Sequence, residues 1–178
     1  MLMIATIIAV VFALAIVITL ILAVTKPDTF RIERGSVINA PPEKVFALIN
    51  DFQQWRGWSP WENKDPNLKR TYSGAERGKG AVYAWEGNKN VGSGRMEILE
   101  ANSPSKVLIK LDFISPFEGH NTAEFTMLPQ GNATNVHWVM NGPSRFITKV
   151  MQVFFSFDKM IGKDFEAGLA GMKNLAEK

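Results

Sequence analysis

Two histidines, no cysteine, and scattered serines and carboxylates are the groups with which this 178-residue chain could do covalent or metal chemistry. Thiol nucleophiles, thiolate zinc sites and disulfides are excluded at once. His137 alternates with Val136 and Trp138, so on a strand whose apolar residues face inward its ring faces solvent. His120 follows Glu118-Gly119 and has no second ligand at metal spacing; no metal and no cofactor is expected. Ser59, Ser73 and Ser93 fall in turns or loops, with no His/Asp partner nearby in sequence and no nucleophile elbow. Gly92-Ser93-Gly94 is too short for a phosphate loop and precedes a strand instead of a helix. A buried Glu86 or Asp112, or the Tyr83 hydroxyl, is the remaining route to acid–base chemistry. No catalytic residue is assigned, and the sequence leans away from an enzyme.

Apolar and aromatic residues offer more. Tyr83 and Trp85 share one strand face, and the same alternation recurs in Met96/Ile98, Ile109/Phe113, Phe125/Met127 and Trp138/Met140. Phe165 and Leu169 add a helical stripe. Such residues either fill a core or line a cavity. Ligand pockets are mostly apolar with a few polar groups such as a tyrosine hydroxyl or an indole N–H, and we take these positions as candidate cavity lining.

Placing those faces together requires a sheet and a helix. Phe30 to Asn39 has strand character, and Pro41-Pro42-Glu43 reads as a helix start that carries Val45, Phe46, Leu48 and Ile49 on one face. Trp55, Trp58 and Trp61 follow at a spacing of three, interrupted by Gly57 and Pro60, which predicts a turn or helical end. Six further strands are expected over 68–72, 81–86, 94–100, 106–114, 122–128 and 134–140, each closed by Gly, Pro, Asn or Ser. Short loops between them favour a meander of neighbours. Ile161, Phe165, Leu169, Met172 and Leu175/Ala176 then stripe a long C-terminal helix, where Gly168 and Gly171 allow close approach. A single curved sheet covering that helix buries both apolar faces. The segment from Phe146 to Phe157 is notably apolar and suits a lid or a membrane-touching surface.

The head of the chain is a different material. Every ionisable side chain lies between Lys26 and Lys178, and Leu2 to Val24 contains only Thr6 and Thr19 as polar residues. As a helix this run reaches about 35 Å, enough for a hydrocarbon core of ~30 Å. No basic residue precedes it and Ala23-Val24-Thr25 is a poor cleavage site, so a retained single-pass anchor is expected rather than a signal peptide. Residues 1–25 are thus read as the anchor, 26–29 as a linker and 30–178 as one domain. Lys26, Arg31 and Arg34 follow the run, which favours a cytoplasmic domain at the cell membrane. The bilayer is an expected partner. Nucleic acid is not, because the basic run from Lys69 to Lys89 is interleaved with Glu76 and Glu86, and the net charge is only +3.

Three segments carry a resemblance: VINAPPEKVFALINDFQQWRGWSPWE, GKGAVYAWEGNKNVGSGRMEI and DKMIGKDFEAGLAGMKNLAEK. They resemble the START-like SRPBCC superfamily in its polyketide cyclase/dehydrase-type branch, here in membrane-anchored form. The resemblance implies an α+β helix-grip fold, an antiparallel sheet wrapped round a long C-terminal helix and enclosing a hydrophobic cavity. The function expected is a membrane-tethered carrier or sensor for a lipid or isoprenoid-like molecule. A cyclase- or hydrolase-like enzyme and a membrane-proximal interaction module are the alternatives.

Overall fold

The computed structural model describes residues 2–178. Helix α1 (Leu2–Val24) is apolar all round, and nearly all its side chains are exposed. It is the one described helix long and apolar enough to span a membrane. Four residues later the chain enters β1 (Thr29–Ile38). Helix α2 (Pro42–Asn50) follows, with proline in its first turn, Glu43 favoured there by the helix dipole, and Val45, Phe46 and Ile49 turned inward. The tryptophan segment forms two short 3-10 helices, Phe52–Gly57 and Pro60–Asn63. A 3-10 helix has three residues per turn, so residues three apart fall on one side.

The strands β2 (Lys69–Gly74), β3 (Ala81–Glu86), β4 (Ser93–Asn102), β5 (Lys106–Ser115), β6 (Gly119–Gln130) and β7 (Ala133–Pro143) follow in succession. All seven strands form one antiparallel sheet in the order β1-β7-β6-β5-β4-β3-β2. Several strands run a few residues beyond the expected bounds, because hydrogen-bonded pairing continues into the polar turn residues that ended each apolar pattern. Register shifts between Ser93 and Gly94 and between Ile98 and Glu100 interrupt the β4–β5 ladder; such irregularities bend a sheet. Trp85 lies opposite Gly94, where a side chain would collide with the indole.

Helix α3 (Phe146–Phe154) packs against α1, and α4 (Phe157–Ala176) crosses the inner face of the sheet. Helix α4 starts a turn before its apolar stripe, where the Ser156 hydroxyl accepts a hydrogen bond from the Lys159 N–H at 3.3 Å. Phe165, Leu169, Met172 and Ala176 are buried against the sheet. Arg34 of β1 clasps α4, donating from Nε to Glu166 at 2.8 Å and from Nη1 to Asp158 at 2.9 Å. The result is the expected helix-grip arrangement, an antiparallel sheet closed over its C-terminal helix.

Candidate functional site

The inner face of the sheet is apolar because each strand alternates. Tyr83, Trp85, Met96, Ile98, Ile109, Phe125, Met127, Trp138 and Met140 are buried, as are Phe165 and Leu169 of α4, while Phe113 is half-buried near the end of β5. The structure brings all of them to one interior, which is densely occupied. Trp138 stacks on Phe165 with centroids 4.0 Å apart and planes 6° from parallel. Trp55 and Trp58 enter from the first 3-10 segment and stand edge-on to Phe125 at 6.0 and 6.2 Å, and Trp61 stands edge-on to Phe165 at 6.2 Å. The indole N–H groups of Trp55 and Trp58 donate to the carbonyls of Ile49 and Leu48, each at 3.0 Å. Those carbonyls end α2 and need partners from outside the helix, so the indoles that fill the interior also cap the helix. The Trp138 Nε1–H is buried and has no acceptor among the described residues.

A polar knot sits at one wall of this interior. Glu62, in the second 3-10 helix, is buried; its carboxylate accepts from Arg70 Nε at 2.6 Å and from the Tyr83 hydroxyl at 2.7 Å. Arg70 Nη2 also donates to the Glu62 carbonyl at 3.1 Å. Burial, reinforced by the hydrogen bond to Glu62, holds the Tyr83 hydroxyl protonated well above the usual phenol range. Hydrogen bonding to Glu62 likewise raises Arg70. Tyr83 is therefore a committed donor at neutral pH. Glu62 is absent from the sequence reading because its partners lie 8 and 21 residues away and its neighbours carry no recognisable motif.

The other polar candidates lie outside. His137 faces out, 3.2 Å from Glu33, as its place in the alternation requires. His120 is exposed between Asp112 at 2.8 Å and Glu118 at 3.1 Å, and hydrogen bonding to Asp112 first, then Glu118, raises its pKa. Burial pushes the Asp112 carboxyl up, but hydrogen bonds from Lys110 and His120 outweigh it and leave a net lowering. Glu86 is exposed, 4.0 Å from Lys69. Ser59 is buried, Ser73 is exposed, and Ser93 is half-buried beside Gly94. Among the described residues no His, Asp and Glu group could hold a metal ion.

Concave space lies elsewhere. A groove of about 590 Å³ runs between the start of β1 and the α3–α4 joint, lined by Phe30, Ile32, Val153, Phe154, Phe155 and Phe157, with Lys26, Arg31 and Asp158 among its polar wall. Ile32 belongs to both the groove and the core, and Phe157 packs on that core. A smaller cleft of about 140 Å³ lies beside Phe52, Tyr72 and Ala81. Neither is lined by the interior residues singled out from the sequence. Beside the groove the linker is tied to the domain: the Ser144 N–H donates to the Asp28 carbonyl at 2.7 Å, and Lys149 of α3 pairs with the Asp28 carboxylate. Hydrogen bonding to Lys149 lowers the Asp28 pKa. The apolar run from Phe146 to Phe157 supplies half of this groove.

A seven-stranded antiparallel sheet gripping a C-terminal helix defines an α+β protein of the Bet v1-like, helix-grip class. Residues 29–177 match the polyketide cyclase/dehydrase and lipid transport family, and the chain belongs to that family. Its domain resembles ginseng major latex-like protein 151 from Panax ginseng at 12% identity and a TM-score of 0.62, covering 84% of this chain and 99% of that one. The di-domain aromatase/cyclase BexL of the BE-7585A biosynthetic pathway superposes with a TM-score of 0.61 at 13% identity, over 88% of this chain and 53% of that one. The Aha1 dimer protein of Colwellia psychrerythraea gives a TM-score of 0.60 at 15% identity, over 83% and 96% of the two chains. At these identities the likeness is one of fold. No curated protein sequence matches significantly.

Proposed function

We propose that this protein is a membrane-tethered binding protein, a carrier or sensor, for an apolar small molecule of lipid or isoprenoid type. The observation that carries the reading is the groove of about 590 Å³, part apolar and part polar, that opens beside the end of α1 and whose floor, Ile32, is also the edge of the core. A site of this size, with an aromatic wall facing charged and polar groups, suits an amphipathic ligand of a few dozen atoms. Ile32 pairs with Met140, and two residues deeper on β7 lies Trp138 with its unpartnered indole N–H. A ligand oxygen reaching that donor would recover a hydrogen bond that a buried N–H otherwise forfeits. The lipid-transport part of the family description agrees with it. Helix α1 tethers the domain, and the Lys26, Arg31 and Arg34 flank favours the cytoplasmic side of the cell membrane.

The test is native mass spectrometry of the full chain released from detergent micelles, together with crosslinking by a diazirine-bearing fatty acid or prenyl alcohol. A bound apolar mass and crosslinks on peptides containing Phe30 and Val153 are expected, both reduced in Val153→Asp. Absence of any adduct, with crosslinks confined to α1, refutes the proposal.

A further inference from the structure

Taking α1 as membrane-spanning, as proposed above, we infer that the anchor-side end of the sheet docks onto the bilayer surface and seats the groove mouth against lipid. The occupant of this apolar surface is the membrane itself, and the length of the linker is the reason. Helix α1 ends at Val24 and β1 begins at Thr29. The five residue-to-residue steps from Val24 to Thr29 span at most about 18 Å when fully extended. The end of the sheet where Thr29 pairs with Pro143 therefore stays within that distance of the point where α1 leaves the hydrocarbon.

The strand pairing gathers two other segments at this end. Thr122 pairs with Asn141, and Phe113 pairs with Gly119, so the β5–β6 loop lies beside the β7–α3 junction. Arg145 and Glu118 join the two at 3.2 Å. These segments carry six of the apolar side chains that the domain leaves in the open: Ile114 at the end of β5, Phe117 in the loop, Phe146 and Ile147 at the start of α3, and Phe154 and Phe155 at its end. Each is more than half exposed, from 53% to 65%. Helix α3 buries none of its residues in the domain, has no acid in its first turn and packs beside α1. A short helix with these properties lies in the interfacial plane of a bilayer. At the opposite end, the exposed apolar residues are Val37 and Leu128, both paired with Asn135.

Most charge at this end is internally matched, Asp28 by Lys149, Glu118 by Arg145 and Glu33 by Arg31, and Lys26 of the linker is left without an ion pair among the described residues. Docking is therefore driven mainly by apolar insertion, with at most the one linker lysine adding attraction to anionic lipid, and it changes little with salt.

The cysteine-free sequence allows a clean test with single-cysteine variants of the full chain, labelled with an environment-sensitive fluorophore in phosphatidylcholine nanodiscs. Labels at Phe117→Cys and Ile147→Cys should be quenched several-fold more by a nitroxide-bearing lipid than a label at Leu128→Cys, and should be shielded from aqueous iodide at both low and high salt. A label at Phe12→Cys reports the anchor separately. If the Phe12 label is in lipid while the labels at 117 and 147 match the one at 128, docking is refuted and the tether stands. If the Phe12 label is itself aqueous, the tethered reading fails and docking fails with it.

Discussion

Replacing Glu62 by Gln tests whether the polar knot behind Tyr83 is structural. The Glu62 side chain is 5% exposed and that of Arg70 is 16% exposed, with 2.6 Å between their charged atoms. Removing one member of a buried ion pair costs roughly 3–5 kcal/mol, mostly because the other charge is left without its partner. Arg70 keeps its bonds to the Leu68 and Glu62 carbonyls at 2.8 and 3.1 Å and retains some solvent. These reduce the expected loss to about 2–3 kcal/mol. Tyr83→Phe removes a hydrogen bond to a charged acceptor and should cost about 1.5 kcal/mol or somewhat more. The double variant should lose less than the sum by about 1 kcal/mol, since both single changes act on one carboxylate. Urea unfolding of the full chain in detergent micelles, followed by tryptophan fluorescence, measures all three. The refuting result is a Glu62→Gln protein as stable as the parent. That outcome would mean the pair is maintained at the expense of stability, which is the behaviour of a functional group and not of a structural one.

Gly171→Ala should destabilise although alanine is the better helix former by about 1 kcal/mol. A methyl group there would stand 2.7 Å from the Trp58 carbonyl oxygen, and overpacking against backbone costs about 1–3 kcal/mol; a lower thermal midpoint than the parent is the expected reading. His120 should titrate above the ordinary imidazole value of about 6.5, because Asp112 and Glu118 stabilise its charged form. A group raised on folding stabilises fully below its unfolded pKa and loses that contribution as pH rises through its folded one. Proton NMR of the two histidines, with Asp112→Asn lowering the His120 midpoint, checks the sign.

Much of this arrangement can be read from alternation. Val136, Trp138 and Met140 against His137 is a pattern with only one sensible orientation, and the stripe through Phe165, Leu169 and Met172 places α4 without knowledge of its neighbours. The tryptophan spacing shows a turn, but it does not show that Trp55 and Trp58 turn inward. That depends on the carbonyls of Leu48 and Ile49, which accept their N–H groups across the α2 terminus. Whether the inner face lines a cavity or packs is thus decided by a loop, and loops have no periodicity to betray their path. Glu62 is hidden for the same reason: a carboxylate beside Trp61 gains meaning only when β2 and β3 deliver Arg70 and Tyr83 to it. The groove residues from Phe146 to Phe157 stand out by composition, yet their opposite wall, Phe30 and Ile32, is supplied by β7 pairing with β1.

That last pairing shapes how the protein is made. Thr29 and Pro143 lie side by side in the finished sheet, but the ribosome delivers β7 roughly a hundred residues after β1, about 5–20 s later at ordinary synthesis rates. Throughout that interval β1 waits behind α1 with no strand to pair with, while β2 to β6 can already form their hairpins in turn. The sheet can therefore grow from its far edge back toward α1, with the strand that is translated first the last to find its partner. Pairings between such distant segments are the slow ones, so the closing of β7 onto β1 sets when β1 stops being a strand without a neighbour.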